Sequence, residues 1–327
     1  MTHSIKLLPV LILLLSCSSD DDAGFNLPDG IDPRNEMREF VIGISEYSKE
    51  LHPAFLVIPQ NGIELVTNNG EEEGKPESAY LQAIDGNGQE DLYYGYEEDD
   101  MATPAQESEY LEGFLNISLQ AGNTILVTDY CSTVSHMERS YSESMSNGYI
   151  SFAADDRELN RIPAYPSPIH QENDRSVSSL AEVSNFLYLI NPEDFSTKAE
   201  FIAAIKATNY DLLIMDLFFN DNTEFSAEEI NALKEKANGG SRFVISYMSI
   251  GEAEDYRYYW QPDWQTDKPS WLEGENPDWP GNYKVKYWEK DWQKIIFGNE
   301  SSYLKKILDA DFDGVYLDII DAYEYFE

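Results

Sequence analysis

Asp313-Gly-Val-Tyr-Leu-Asp-Ile-Ile-Asp-Ala-Tyr-Glu-Tyr-Phe-Glu327 is the stretch on which the reading of this chain turns. Its apolar run from Val315 to Ile320 is broken by one carboxylate, Asp318, and a second, Asp321, follows three residues later. A charged side chain inside a buried strand is costly unless something pairs with it. Asp318 is therefore expected at the carboxyl end of a parallel strand, facing a cavity.

Outward from that stretch, seven more short apolar runs read as strands: Phe55–Pro59, Leu81–Asp85, Thr124–Thr128, Gly148–Phe152, Asp211–Asp216, Arg242–Tyr247 and Tyr283–Tyr287. Helical patterns separate them. Met37, Phe40, Val41, Ile44, Tyr47 and Leu51 form one stripe over residues 36–51, which Pro53 closes. Further helices are expected near 106–120, in the Ser/Glu-rich stretch after Thr128, and from the capping box Ser226-Ala-Glu-Glu229 to Lys236. Residues 163–180, with Pro163, Pro166 and Pro168, read as a linker. Eight strands alternating with helices predict a single α/β domain, a (β/α)8 barrel of the TIM type, whose chemistry sits at the carboxyl ends of its strands.

Composition narrows the partners. Of 327 residues 42% are hydrophobic and 13% aromatic, enough for a sizeable core. The formal charge of −39 repels phosphate backbones and anionic lipid surfaces, which argues against nucleic acid. It suits a neutral or cationic polymer, or an acidic surface that serves solubility alone. A monomer is expected.

At the amino end, Lys6, the apolar stretch Leu7–Leu15 and then Ser16-Cys17 resemble a bacterial lipoprotein signal. Residues 1–16 would then be removed and Cys17 lipidated, tying the protein to a membrane. The following Ser18-Ser-Asp-Asp-Asp22 resembles the tag that sends such lipoproteins to the outer membrane or cell surface. Residues 17–33 are read as a tether reaching roughly 20 to 25 Å as a flexible coil. Acylation of Cys17 leaves Cys131 without a disulfide partner, and its apolar surroundings mark it as a small buried hydrophobe. The four histidines show no metal-ligand spacing, so neither a metal site, a histidine base nor a cofactor is expected.

Tyr247-Met-Ser-Ile-Gly-Glu-Ala-Glu-Asp-Tyr-Arg-Tyr-Tyr-Trp260 and Asp313–Tyr323 resemble the endo-α-1,4-polygalactosaminidase family of glycoside hydrolases, family GH114. Gln60-Asn-Gly-Ile-Glu64 and Ala83-Ile-Asp-Gly-Asn-Gly-Gln-Glu-Asp91 are similar to two further motifs of it. The motif order departs from the family's. Residues 34–162 correspond to its later half and 181–327 to its earlier half, so the resemblance implies a circularly permuted barrel over 34–327, with 163–180 joining the family's old ends. The new ends then fall in the loop after the Asp318 strand, beside the mouth of the site.

The resemblance implies an endo-acting hydrolase of an α-1,4-linked galactosamine-containing polysaccharide. Such hydrolysis needs two carboxyl groups flanking the scissile bond. Asp318 as nucleophile and Glu64 as acid/base are the pair it implies. Asp216, Glu252, Glu254 and Asp321 are further carboxylate candidates, and Asn61 and Asp85 come with the two shorter motifs. Tyr130, Tyr247 and the aromatics at 256–260 are candidate sugar-stacking surfaces. Two other readings compete: a glycan-binding surface lipoprotein that lost turnover, and a phosphate-binding metabolic barrel, which the export signal and the lack of a Gly-rich phosphate loop oppose.

Overall fold

The computed structural model describes residues 27–220 and 222–327. The expected signal, Cys17 and the first part of the tether lie outside them. The order is α1 (Pro33–Leu51), β1 (Leu56–Pro59), α2 (Ser78–Ala83), β2 (Gly86–Glu90), α3 (Ala105–Gln120), β3 (Thr124–Tyr130), α4 (Val134–Asn147) and β4 (Ile150–Ala154). After the linker come β5 (Phe186–Tyr188), α5 (Lys198–Lys206), β6 (Leu212–Met215), α6 (Ala227–Leu233), β7 (Phe243–Ser249) and β8 (Glu252–Glu254). The chain ends with β9 (Leu272–Glu275), β10 (Asn282–Val285), α7 (Lys290–Ile296), α8 (Tyr303–Asp309) and β11 (Gly314–Asp318).

Eight of these strands are parallel, in two sheets ordered β1-β11-β7-β6-β5 and β2-β3-β4. Between the sheets, Gln60 just past β1 bridges in parallel to Gly88 of β2, and Phe152 of β4 packs on Phe186 of β5. Tyr316 of β11 crosses the interior, its ring edge-on to Tyr188 of β5 and its hydroxyl against Gly88. The α/β architecture with parallel strands follows the expectation. Residues 163–179 hold no helix or strand, as their prolines imply.

Two strand assignments are corrected. Residues 81–85 are the end of α2 and a turn; the strand is the next five residues, Gly-Asn-Gly-Gln-Glu. Residues 283–287 belong not to the parallel set but to a small antiparallel sheet, β8-β10-β9, laid over one side of the strand ends. The eighth parallel strand is the three-residue β5, too short to announce itself by pattern.

Local chemistry holds the frame. Asp32 caps α1 by accepting from the Asn35 N–H, and the stripe Met37, Phe40, Val41 and Ile44 is buried. Buried Arg38 donates to the carbonyls of Leu65 at 2.8 Å and Thr67 at 2.5 Å, pinning the loop that follows β1. The capping box forms as expected, Ser226 Oγ accepting from the Glu229 N–H and Glu229 from that of Ser226, although its helix stops at Leu233.

Candidate active site

A cleft of about 560 Å³ opens at the carboxyl ends of the parallel strands, and Asp318 stands in it at the end of β11. Register places Leu317 beside Pro59 and Asp318 beside Ser249, so Gln60, one step beyond β1, comes level with Asp318. Gln60 Nε2 donates to Asp318 Oδ1 at 2.9 Å, and Tyr247 Oη from β7 donates to Oδ2 at 2.6 Å. Ile319 then turns the chain with φ of 58°, a left-handed conformation that β-branched residues avoid. Strain of this kind collects at functional sites.

The same Gln60 Nε2 donates at 2.9 Å to Oε2 of Glu90, the last residue of β2. Asn61, itself at φ 59°, grips this glutamate: its Nδ2 donates to Oε2 at 2.9 Å and its Oδ1 accepts from the Glu90 N–H at 3.0 Å. Tyr130, ending β3, donates its hydroxyl to Glu90 Oε1, and the Arg157 guanidinium lies over the Tyr130 ring. Two carboxylates on two strands are thus bracketed by one amide. With each of its two N–H bonds aimed straight at an oxygen, those oxygens stand about 5 Å apart.

Loss of bulk water pushes the Glu90 carboxyl up to about 7, with the charge of Asp318 adding to it; the Tyr130 and Asn61 hydrogen bonds pull the other way. Burial raises Asp318 as well, offset by Tyr247, the Ile319 N–H and Gln60. Asp321 lines the cleft and is pushed up to about 7, first by burial and then by Asp318 and Glu324. Such a set holds a proton on one carboxyl and a charge on another near neutral pH.

The structure brings Asp318, Asp321, Glu252, Asn61, Tyr130 and Tyr247 together in this cleft. Glu64 is not among its lining residues. It sits one loop away, accepting from Tyr110 Oη and Tyr323 Oη, each at 3.0 Å, with Arg34 over the Tyr323 ring. Asp85 is at the opposite, amino end of the strands, where it accepts from the Val57 N–H and pairs with Lys49 at 2.9 Å. It borders a larger hollow of about 810 Å³ there, but its Oδ2 is already engaged in the frame. Asp216 and Glu254 lie behind the cleft wall, clamped by buried Arg257, whose Nη2 meets Asp216 Oδ2 at 2.7 Å and whose Nε meets Glu254 Oε2 at 2.6 Å. Cys131 is buried, which pushes its thiol up, out of nucleophilic range.

Glu90 and Gln60 are the residues that pattern reading missed in these roles. The available signal was positional: Glu90 ends a strand as Asp318 does. Among the described residues, no group of three or more His, Cys, Asp or Glu is arranged to hold a metal ion.

The fold is α/β with parallel strands, and its cleft carries paired carboxylates at the strand ends. Residues 190–327 match the model of glycoside-hydrolase family GH114, and this stretch is similar to that family. An uncharacterized protein of Methanocaldococcus jannaschii is 47% identical over 127 residues, 38% of this chain and 34% of that protein. Uncharacterized proteins of Deinococcus radiodurans and Thermotoga maritima are each 40% identical, over 121 and 123 residues; each match covers 37% of this chain and 36% of the relative. The chain therefore spans about a third of the length of the relatives it matches.

Proposed function

We propose that the protein is a retaining, endo-acting glycoside hydrolase of an α-1,4-linked galactosamine-containing polysaccharide, with Asp318 as nucleophile and Glu90 as acid/base. The observation that carries this is the Gln60 amide shared by both carboxylates. It supports a separation of about 5 Å, whereas inverting enzymes need roughly 6.5 Å or more to admit a water. Asp318, hydrogen-bonded by Tyr247, is suited to attack the anomeric carbon as an anion. Glu90 is suited to give its proton to the departing oxygen, then to take one from the water that releases the sugar.

In this reading the two sheets close into a (β/α)8 barrel through the Gln60–Gly88 bridge and the Phe152–Phe186 contact. The chain is a circular permutation of the family order. In support, the family match lies wholly in the later part of the chain, while the motifs at 60–64 and 83–91 precede it. Lipidation at Cys17 would hold the cleft near the cell surface.

The test is release of reducing ends from de-N-acetylated α-1,4-galactosamine polymer by a chain lacking residues 1–23. Asp318→Asn and Glu90→Gln are expected to lose about 10²- to 10⁴-fold or more of the rate, the range of acid–base and nucleophile knockouts. Glu64→Gln is expected to stay within about fivefold, since Glu64 lies outside the cleft. A polymer bound but never cut would turn the conclusion to a glycan-binding protein.

A further inference from the structure

The cleft has one wall with no part in the chemistry above. It is the antiparallel sheet β8-β10-β9 with the turn between β9 and β10; the strands contribute Glu252 and Asn282 to the lining and the turn Asn276, Asp278 and Trp279. Two of its features are unspent.

The first is Glu252. This residue of β8 is 0% exposed, and its Oε1 accepts from Asn276 Nδ2 and from Tyr325 Oη, both at 2.9 Å. Its Oε2 is buried and no donor reaches it within 3.5 Å, although the Asn282 side chain is close enough to help hold the carboxylate charged. A buried carboxylate oxygen without a donor is costly, and such groups persist in native structures where an ordered water, a ligand or the reaction itself meets them. Around it, Asn276 and Tyr325 fix the carboxylate's orientation, Asn282 lies alongside, and Asp318 is its charged neighbour across the cleft.

The second is Trp279. Trp271, Trp288 and Trp292 are buried and Trp260 and Trp264 are partly so, but Trp279 is 60% exposed at the cleft rim. A turn holds it there: the Asn282 N–H donates to the Trp279 carbonyl at 3.1 Å, and the Asn276 N–H to the Asn282 carbonyl at 2.7 Å. An indole carried on this turn and open to water beside a polar cleft has the shape of a sugar platform. It covers the apolar face of a pyranose while the ring's edge keeps its donors free.

We infer that this sheet is a sugar subsite of the cleft, in which Trp279 stacks on a ring and Glu252 Oε2 accepts a hydrogen bond from a hydroxyl or amino group at that ring's edge. The inference rests on the glycosidase reading and adds the residues that grip the chain beside the scissile bond. Both residues bind; neither exchanges protons with the reacting atoms.

Binding is measured in the uncleaving Asp318→Asn chain by titrating galactosamine oligosaccharides and following indole fluorescence and heat. Trp279→Ala is expected to weaken binding at least tenfold and to remove the fluorescence change. Glu252→Gln, which keeps the size and the Oε1 contacts, is expected to weaken binding at least tenfold with the melting temperature held. Running the same titration with N-acetylated oligosaccharides separates the donors: a loss confined to the free amine assigns an ammonium, an equal loss a hydroxyl. In the active chain the same two changes should raise KM more than they lower kcat. Active parent protein with both variants binding within twofold of it overturns the subsite alone. No release by the parent and no binding by Asp318→Asn overturns the glycosidase reading, and the subsite falls with it.

Discussion

Glu90 is a carboxyl whose environment moves it across neutrality. Burial and the facing charge of Asp318 raise it from its ordinary 4.5 to about 7. If it is the proton donor, kcat/KM falls tenfold per pH unit above about 7, because the donor is then ionised. The same shift bears on stability, with a definite sign. A carboxyl raised on folding binds a proton that the unfolded chain releases, so its contribution is full below about 4.5 and is lost as pH rises through about 7. Against Glu90→Gln, which never ionises, the parent should therefore lose about 2 to 3 kcal/mol between pH 4 and pH 8. Urea unfolding of both proteins at several pH values reads that difference; a gap that stays constant with pH means Glu90 is not displaced.

Glu90 escaped pattern reading for the same reason that β2 did. Strand periodicity is a hydrophobic signal, and Gly86-Asn-Gly-Gln-Glu90 has no aliphatic side chain to supply it. The apolar residues just before it belong to α2 and its turn, so hydrophobic periodicity points five residues early and passes over the acid at the strand's true end. Glycine is there for packing: a Cβ on Gly88 would lie 1.8 Å from Tyr316 Oη, the ring that crosses the interior from β11. Gly88→Ala should cost about 1 to 3 kcal/mol by overpacking, and should cut turnover because Glu90 follows two residues on. Gly274→Ala, whose Cβ would meet open space, is the control expected to melt with the parent. An unchanged melting temperature for Gly88→Ala would mean the interior is looser than drawn. By contrast β11 was legible, since a single carboxylate interrupting a buried run has few places to go. Asn61, Tyr130 and Tyr247 were within reach because each stands at or near a strand end. Glu64 stands outside the cleft because the left-handed turn at Asn61 and Gly62, with φ of 59° and 51°, carries the chain away before it arrives.

At the scale of the molecule, the start of α1 and the last residue, Glu327, meet at one place. Arg34 Nε meets Glu327 Oε1 at 2.8 Å, and Tyr287 Oη donates to the Pro33 carbonyl at 2.8 Å, on the side where the 3₁₀ turn of residues 320–325 brings Asp321 and Tyr325 to the cleft. The proline-rich linker is itself tied down: fully buried Lys236 donates to the Asn173 carbonyl at 3.0 Å and pairs with Asp211 at 2.9 Å. Connectivity is thus separable from packing. A linker of about six Gly/Ser residues spans up to roughly 20 Å, enough to join Glu327 to residue 32. Opening the chain between Pro168 and Ile169 then restores the order that the family resemblance implies and leaves Asn173 with its partners. Apart from the packing of Leu27 and Ile31, which precede the join, the side-chain contacts are kept in this rearrangement, and loop-closure entropy changes by about 0.6 kcal/mol for each doubling of loop length. The rearranged protein should melt within about 5 °C of the parent, given roughly 2 to 4 °C per kcal/mol at this size, and should release reducing ends at a similar rate. Loss of cooperative unfolding would show that the present chain order, and not the set of contacts, specifies this fold.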